Sequence, residues 1–428
     1  MAKPHKLLDD CFAHDKKRLR HSEAIDILKA RVATVAAIEP IKLVDAAGRI
    51  LGETVQATHP IPFHTNAAVD GFSFAASDYN SGAAEEMPVE GRAAAGHALP
   101  APPAQGTAVR IFTGAVMPEG HDTVVMQEDV RYGVVGGQPT VSIPPGLKPG
   151  ANVRKAGEDV KQGEILLQAG SVLRPQDLAA LASIGTGTVG CFIPLKVGIV
   201  STGDEVIRSG ERLKPGQVYD ANAPMLSALI TSAGARPVDL GIWPDNLDEI
   251  KRRLAVAAQD VDVINTSGGA SRGEEDHVVA ALDALGKRHL WQLAIKPGRP
   301  MSFGQIGDCV MIGLPGNPVA VFVCFLLYVW PLLRRMGGAQ WPVPRRYQLP
   351  ALFAFPNRKT GRREFWRGLL KDTPRGLAVD KFERDGSGLI SGLRAADGLI
   401  EVPEDVTAIR PGDGVAFIPF TEFGMGGR

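Results

Sequence analysis

The chain has 428 residues, more than one compact core accommodates, so its length predicts three or four domains. Its 44% hydrophobic content is ordinary for a folded globular protein. Lysine plus arginine equals aspartate plus glutamate at 47 each, which excludes the bulk positive field that holds a nucleic-acid backbone but leaves room for a discrete small anion.

Four cysteines, Cys11, Cys191, Cys309 and Cys324, lie apart with no CxxC pair, so neither a zinc signature nor a disulfide framework is expected, and the setting reads as a reducing cytoplasm. The opening Met-Ala-Lys-Pro-His runs into charge instead of an apolar stretch, which argues against a signal peptide. Ser22 is the expected cap of a first helix, in which Ile25, Leu28, Val32 and Val35 recur at helical spacing and Glu23 suits the first turn.

From Ile61 to about Gly146, Gly and Pro punctuate short β-type runs such as Ala108–Phe112 and Thr123–Met126, predicting a small β-rich domain. Leu147 to Pro194 returns to mixed structure, with a helix expected at Gln176–Ile184 behind Pro175. If this piece packs with the N-terminal helix, the β-rich segment is an insertion.

Leu195 to Gly338 then alternates strand and helix: strands at Val197–Val200, Val238–Ile242, Val261–Asn265 and Val310–Ile312, helices near Pro224–Ala233, Leu247–Ala258 and His277–Leu285. Such alternation predicts a parallel α/β sheet with its ligand site at the carboxyl ends of the strands. The apolar run Val319–Leu333 is too short for a membrane span and contains Pro331; with Asn317 as cap and Pro318 as first helical residue it reads as a buried helix. From Arg345 onward, short runs such as Leu399–Val402 and Gly414–Ile418 predict a small barrel or sandwich. The expected layout is an α/β multidomain protein: a mixed N-terminal domain (18–60 plus 147–194), a β-rich inserted domain (61–146), a central α/β domain (195–338) and a C-terminal β-barrel-like domain (345–428).

Three glycine-rich turns in the central block, Ser267-Gly-Gly-Ala-Ser271, Lys296-Pro-Gly-Arg-Pro300 and Leu314-Pro-Gly-Asn-Pro318, each follow an apolar run. Turns of this kind present bare N–H groups and helix N-termini to a phosphate, and with Asp276 and Lys296 among them they favour an anionic ligand site over plain loops. The strand-end rule adds Ser201-Thr-Gly-Asp-Glu205 and Asp245 to the same rim. Glu205 and Asp245 are either two hard oxygen ligands for Mg²⁺ or helix caps, and Asp276 either binds a nucleotide hydroxyl or caps the helix at His277. Lys296, after Leu293-Ala-Ile295, would bring a long cation to a strand end.

Outside the block, Asp70 in Asn66–Phe72 and Thr113 in Phe112–Gly120 read on their own as turn residues, and Arg154–Asp159 as a solvated charge cluster. Arg362–Arg367 with Ser387 forms either an oxyanion pocket or a salt-bridged surface strand. The nine histidines form no HExxH or paired metal spacing, and no GxSxG elbow is present.

As an ordered set, Asn66–Phe72, Phe112–Gly120 with Val124–Glu128, Gly157–Asp159, Ser201–Glu205, Ser267–Asp276, Ile295–Pro300 and Leu314–Pro318 resemble the molybdopterin molybdenumtransferase family, the MoeA-type enzymes and the gephyrin E domain, over nearly the whole chain. The resemblance implies insertion of molybdate into adenylylated molybdopterin with Mg²⁺-dependent release of AMP, by an elongated homodimer whose cleft is completed by both subunits. It assigns Asp70 and Thr113 to the β-rich wall. Asp159, Glu205, Asp245, Asp276 and Lys296 would serve substrate or metal, together with Ser267, Gly268, Gly269, Ser271, Pro297, Gly298 and Arg299. Pro315, Gly316, Asn317 and Pro318 would shape the pterin-side turn, and Arg367 with Ser387 would hold molybdate. Expected partners are a molybdopterin adenylyltransferase and cofactor-accepting enzymes; neither nucleic acid nor membrane is expected.

Two departures stand out. Gln292 occupies a position where many relatives carry lysine, and Val69-Asp-Gly-Phe72 replaces a common Met-Asp-Gly-Tyr. The competing functions are a non-catalytic scaffold of the same fold and a molybdopterin adenylyltransferase, the latter disfavoured by the long additions on both sides of the α/β block.

Overall fold

The computed structural model describes residues 18–268, 277–386 and 388–426. Asp276, Gly269, Ser271 and Ser387, all expected site residues, lie outside the described residues, as does Cys11.

The first helix spans His21–Arg31 and buries Ala24 and Leu28. Its cap is Arg20, not Ser22: the Arg20 backbone N–H donates to the Glu23 carboxylate at 2.8 Å, so the acidic residue expected in the first turn satisfies the helix entrance from inside. Val32 ends the helix in extended backbone, so Val35 packs against the core from beyond the helix.

Strand Ile38–Lys42 pairs antiparallel with Thr188–Phe192, and Val55–Gln56 pairs with Ile165–Leu167. These ladders join chain from both sides of a six-stranded sheet whose order is Thr123–Met126, Gly71–Phe74, Ala108–Ile111, Glu85–Ala93, Gln138–Ile143, Arg131–Val135. Helix Pro175–Ser183 starts with its proline at the first turn, where the missing N–H costs nothing.

The central sheet runs Arg236–Trp243, Lys196–Thr202, Val263–Ser267, Cys309–Leu314, Pro300–Ile306, Lys287–Gln292. Its first four strands are parallel, as the βα alternation requires. Pro300–Ile306 then runs antiparallel as a hairpin with Cys309–Leu314, and Lys287–Gln292 is antiparallel to it in turn, an extension that strand–helix alternation does not announce. Val197, Ile199, Val263, Val310 and Ile312 face one core with helices Asn222–Ser232 and Pro318–Cys324, while Val200, Ile264 and Met311 face the core under Leu247–Asp260 and His277–Leu285.

The apolar run is a core element, Pro318–Met336, with mean hydropathy 1.7 and 89% burial. It is not one uniform α-helix: a wide π-turn at Phe325–Val329 separates Pro318–Cys324 from Trp330–Met336. Pro331 explains this, because it removes an N–H and its ring displaces a carbonyl one turn earlier, which the wider turn absorbs.

The C-terminal sheet has the order Ile295–Lys296, Arg363–Thr373, Gly398–Val402, Gly414–Pro419, Tyr347–Pro350, with Gly376–Lys381 also paired to Arg363–Thr373. An Ala351–Val379 bridge ties the Tyr347–Pro350 end to Gly376–Lys381. Lys296 therefore sits in a strand pair with Glu364 of this sheet, not at a carboxyl end of the central sheet; the chain leaves one sheet at Gln292 and joins the other within three residues.

Candidate active site

At the carboxyl ends of the central strands, the Ser267 turn is fixed by backbone. Gly268 N–H donates to the Leu314 carbonyl at 3.1 Å, and the Thr266 hydroxyl donates to the Gly268 carbonyl at 3.0 Å. Gly268 has φ +101, and a Cβ there would lie 2.6 Å from Thr202 Oγ1, so only glycine lets this turn close against the Thr202–Glu205 loop.

A buried carboxylate that the strand-end rule does not single out, Asp220, ties this rim together. Its Oδ2 accepts from the Ser201 hydroxyl at 2.6 Å and from Arg208 Nη1 at 3.2 Å; its Oδ1 accepts from the N–H groups of Asn222 and Ala223, at 3.1 and 3.0 Å, at the start of helix Asn222–Ser232. Asn222 Nδ2 then donates to the Gly316 carbonyl at 2.8 Å, and the Ser267 hydroxyl reaches Ser201 Oγ at 3.5 Å. The first and third glycine turns are thus held in one hydrogen-bonded frame. An Asp two residues before Asn222 and an apolar run was a legible helix-start signal; its second oxygen's partners were not.

On the same rim, Asp245 N–H donates to Asp204 Oδ1 at 3.3 Å, so the loops after two neighbouring strands meet. Glu205 and Asp245 are both exposed. Among the described residues no cluster of three or more His, Cys, Asp or Glu forms a closed metal cage. A pair of exposed carboxylates still fits Mg²⁺, which keeps most of its waters and takes few protein ligands beside substrate phosphates.

The second and third glycine turns open into a cavity of about 740 Å³. Its walls include Lys296–Pro300, Pro315–Asn317, the C-terminal sheet residues Phe365–Arg367 and Lys381, and Phe382, Asp385 and Gly386 just beyond that sheet's strand Gly376–Lys381. Gly298 has φ +99, and a Cβ there would lie 2.1 Å from Cys324 Sγ, so the helix seals the turn from behind. Burial pushes the Cys324 thiol well above its usual range, making it an inert packing group.

Four cations line this space: Lys296, Arg299, Arg367 and Lys381. Lys296 Nζ stands 3.8 Å from Glu364, a buried carboxylate that also takes Arg362 Nε at 3.0 Å and Trp366 Nε1 at 2.9 Å. Arg367 is 7% exposed, with Nη1 and Nη2 donating to the carbonyls of Leu389 and Arg384 and its guanidinium 4.9 Å from the Phe382 ring centroid. One guanidinium thereby ties the Arg384 and Leu389 carbonyls together.

Asp70 and Thr113 lie elsewhere, in loops at the ends of strands Gly71–Phe74 and Ala108–Ile111 of the β-rich sheet. Thr113 donates both its N–H and its hydroxyl to Asp70 Oδ1 at 2.8 Å, and these bonds, the backbone one foremost, hold the Asp70 carboxyl below its usual range. Asp159 is exposed in a turn whose N–H donates to the Ile61 carbonyl at 3.0 Å. None of Asp70, Thr113, Asp159, Glu205, Asp245 or Ser267 lines the cavity. In the single chain the expected site residues divide into a β-rich group, a strand-end rim and the cationic cavity.

Family models match almost the full length: the MoeA N-terminal region (domain I and II) over residues 19–185, a probable molybdopterin binding domain over 198–335, and the MoeA C-terminal region (domain IV) over 348–420. The molybdopterin molybdenumtransferase of Haemophilus influenzae is 35% identical over 89% of this chain and 94% of its own length. That of Bacillus subtilis is 32% identical over 85% of this chain and 86% of its own length. The solved structure of the molybdopterin biosynthesis MoeA protein of Pyrococcus horikoshii, 30% identical, superposes with a TM-score of 0.80 over 94% of this chain and 100% of that one. With three successive family regions in register and relatives matched end to end, the chain belongs to the MoeA family of molybdopterin molybdenumtransferases.

Proposed function

We propose that this protein inserts molybdate into adenylylated molybdopterin and releases AMP and molybdenum cofactor. The observation that carries the reading is the meeting of two glycine turns and four cations in one cavity between two sheets. A doubly charged oxyanion and a pyrophosphate both need N–H donors and cations in one place, and a preorganised site supplies them without reorganisation.

In this reading Lys296 and Arg299 bind the oxyanion, and Arg367 holds the loop beside it. Pro315 and Pro318 keep the pterin-side turn rigid around Gly316 and Asn317. Ser267, Gly268, Gly269 and Ser271 receive phosphate oxygens, and Asp276 orients the nucleotide. Glu205 and Asp245 would hold Mg²⁺, which when bound neutralises the pyrophosphate oxygens. Asp70, Thr113 and Asp159 act from the β-rich side, which in a homodimer would close the cleft of the opposite subunit. Four units laid out close to the order expected from the sequence make up each subunit, with helix His21–Arg31 packed into the central core and Ile295–Lys296 joined to the C-terminal sheet.

Purified protein given Mg²⁺, molybdate and adenylylated molybdopterin should yield cofactor that activates an apo-molybdoenzyme, and chelation of Mg²⁺ should stop it. Absence of active cofactor under those conditions would sink the reading. A scaffold without activity is the second reading, suggested by Gln292. Rescue of a molybdoenzyme-deficient cell by wild type, but not by Asp276→Ala, would exclude it.

A further inference from the structure

The cavity contains a negative charge of its own. Asp385 lines it, and its Oδ1 accepts from Lys381 Nζ at 2.7 Å. The two ends of this ion pair sit differently: the Lys381 side chain is 10% exposed and that of Asp385 53%. Lys381 is held against aromatic faces, 5.5 Å from the Trp366 ring centroid and 5.7 Å from that of Phe355, and also reaches the Phe382 carbonyl at 3.4 Å. The lysine is therefore fixed and desolvated, while the carboxylate is the solvent-facing partner.

The loop bearing Asp385 is anchored by the cavity's own arginine, through the Arg384 and Leu389 carbonyls. Gly386, next to Asp385, has φ +153 and also lines the cavity. A carboxylate on a clamped loop thus neutralises a buried cation inside a site whose remaining lining charges, Lys296, Arg299 and Arg367, are positive.

We propose that Asp385 is a built-in competitor for the oxyanion: its carboxylate neutralises Lys381 in the unliganded cavity, and a tetrahedral dianion must displace it or bind against its charge. The inference rests on the reading of this cavity as the oxyanion site. Its consequence is selectivity. A monoanion gains too little from the remaining cations to compete, whereas a dianion delivered together with the pterin substrate does. Like-charge juxtaposition of this kind sets specificity by what it rejects.

The test is equilibrium binding of molybdate by calorimetry to wild type and four variants of the full chain. Asp385→Asn, which keeps the shape and removes the charge, should bind molybdate about tenfold more tightly, the change that 1.4 kcal/mol produces. Asp385→Glu should remain close to wild type, because the charge is retained. Lys381→Met should weaken binding and abolish the gain from Asp385→Asn in the double variant. A tighter-binding variant cannot be explained by misfolding. Unchanged or weaker binding by Asp385→Asn, with wild type binding measurably, would overturn this inference alone. Absence of molybdate binding by all five proteins would overturn the oxyanion-site reading with it.

Discussion

His21 shows how much one buried side chain decides. It is 5% exposed; its Nδ1 lies 2.9 Å from the Tyr328 hydroxyl, and its ring packs edge-on against Tyr328 and Phe365. Burial lowers its pKa from 6.5 to about 4, opposed first by Glu401 and then assisted by Arg363 and Arg346, with Glu404 the least of these influences. The folded chain thus holds it neutral while the unfolded chain protonates it as pH falls below 6.5, so stability is complete above that pH and declines down to about 4. The shift corresponds to on the order of 3 kcal/mol. Urea unfolding at pH 7.5 and pH 4.5 should show the loss in wild type and a shallower slope in His21→Gln; equal slopes would refute it.

Gly298 is a second residue-scale case. Gly298→Ala should destabilise by about 1–3 kcal/mol through its positive φ and the collision with Cys324 Sγ. Cys324→Ala removes the sulfur but not the φ strain, so the double variant should recover part of the loss relative to the sum of the singles. Thermal denaturation of the three proteins measures this; strict additivity would show that the sulfur does not constrain the turn.

Among elements, the helix Asn222–Ser232 is the one whose start matters most. Asp220 caps it while holding Ser201 and Arg208, so Asp220→Ala removes a cap and leaves a buried hydroxyl without its acceptor. A loss of about 2–4 kcal/mol is expected in calorimetric unfolding. Because Asn222 also holds the Gly316 carbonyl, affinity for molybdopterin should fall in the surviving folded fraction. A stability loss with unchanged affinity would show that this frame does not position the third turn. The central helix Pro318–Met336 carries a different lesson: its composition announced burial, while Pro331 inside it marks where the wider π-turn relieves the missing N–H and the ring clash.

For the whole molecule, the expected site residues fall into separate places on one chain, with Asp70 and Thr113 hydrogen-bonded to each other away from the cationic cavity. If a symmetric dimer joins the β-rich side of one subunit to the cavity of the other, an Asp70→Ala protein mixed and refolded with a Lys296→Ala protein should regain activity. Random pairing would restore roughly a quarter of the wild-type sites, since half of the dimers are mixed and each has one intact cleft. No recovery in a mixture shown to contain heterodimers would place both groups in the service of one subunit.

The sequence by itself determined the α/β alternation, the buried apolar helix and the ordered motifs that mark the family, because periodicity, caps and glycine turns are local and carry their signal in a few neighbouring residues. Tertiary structure alone decided that Lys296 belongs to the C-terminal sheet, since a two-residue strand is specified by its partner Glu364 and not by its own propensity. The same holds for the antiparallel Pro300–Ile306 and Lys287–Gln292 strands, whose direction depends on which edge the chain meets. Lys381 and Asp385 were invisible as site residues because their spacing is that of an ordinary surface pair; only the folding of the C-terminal sheet against the two glycine turns puts them in the cavity.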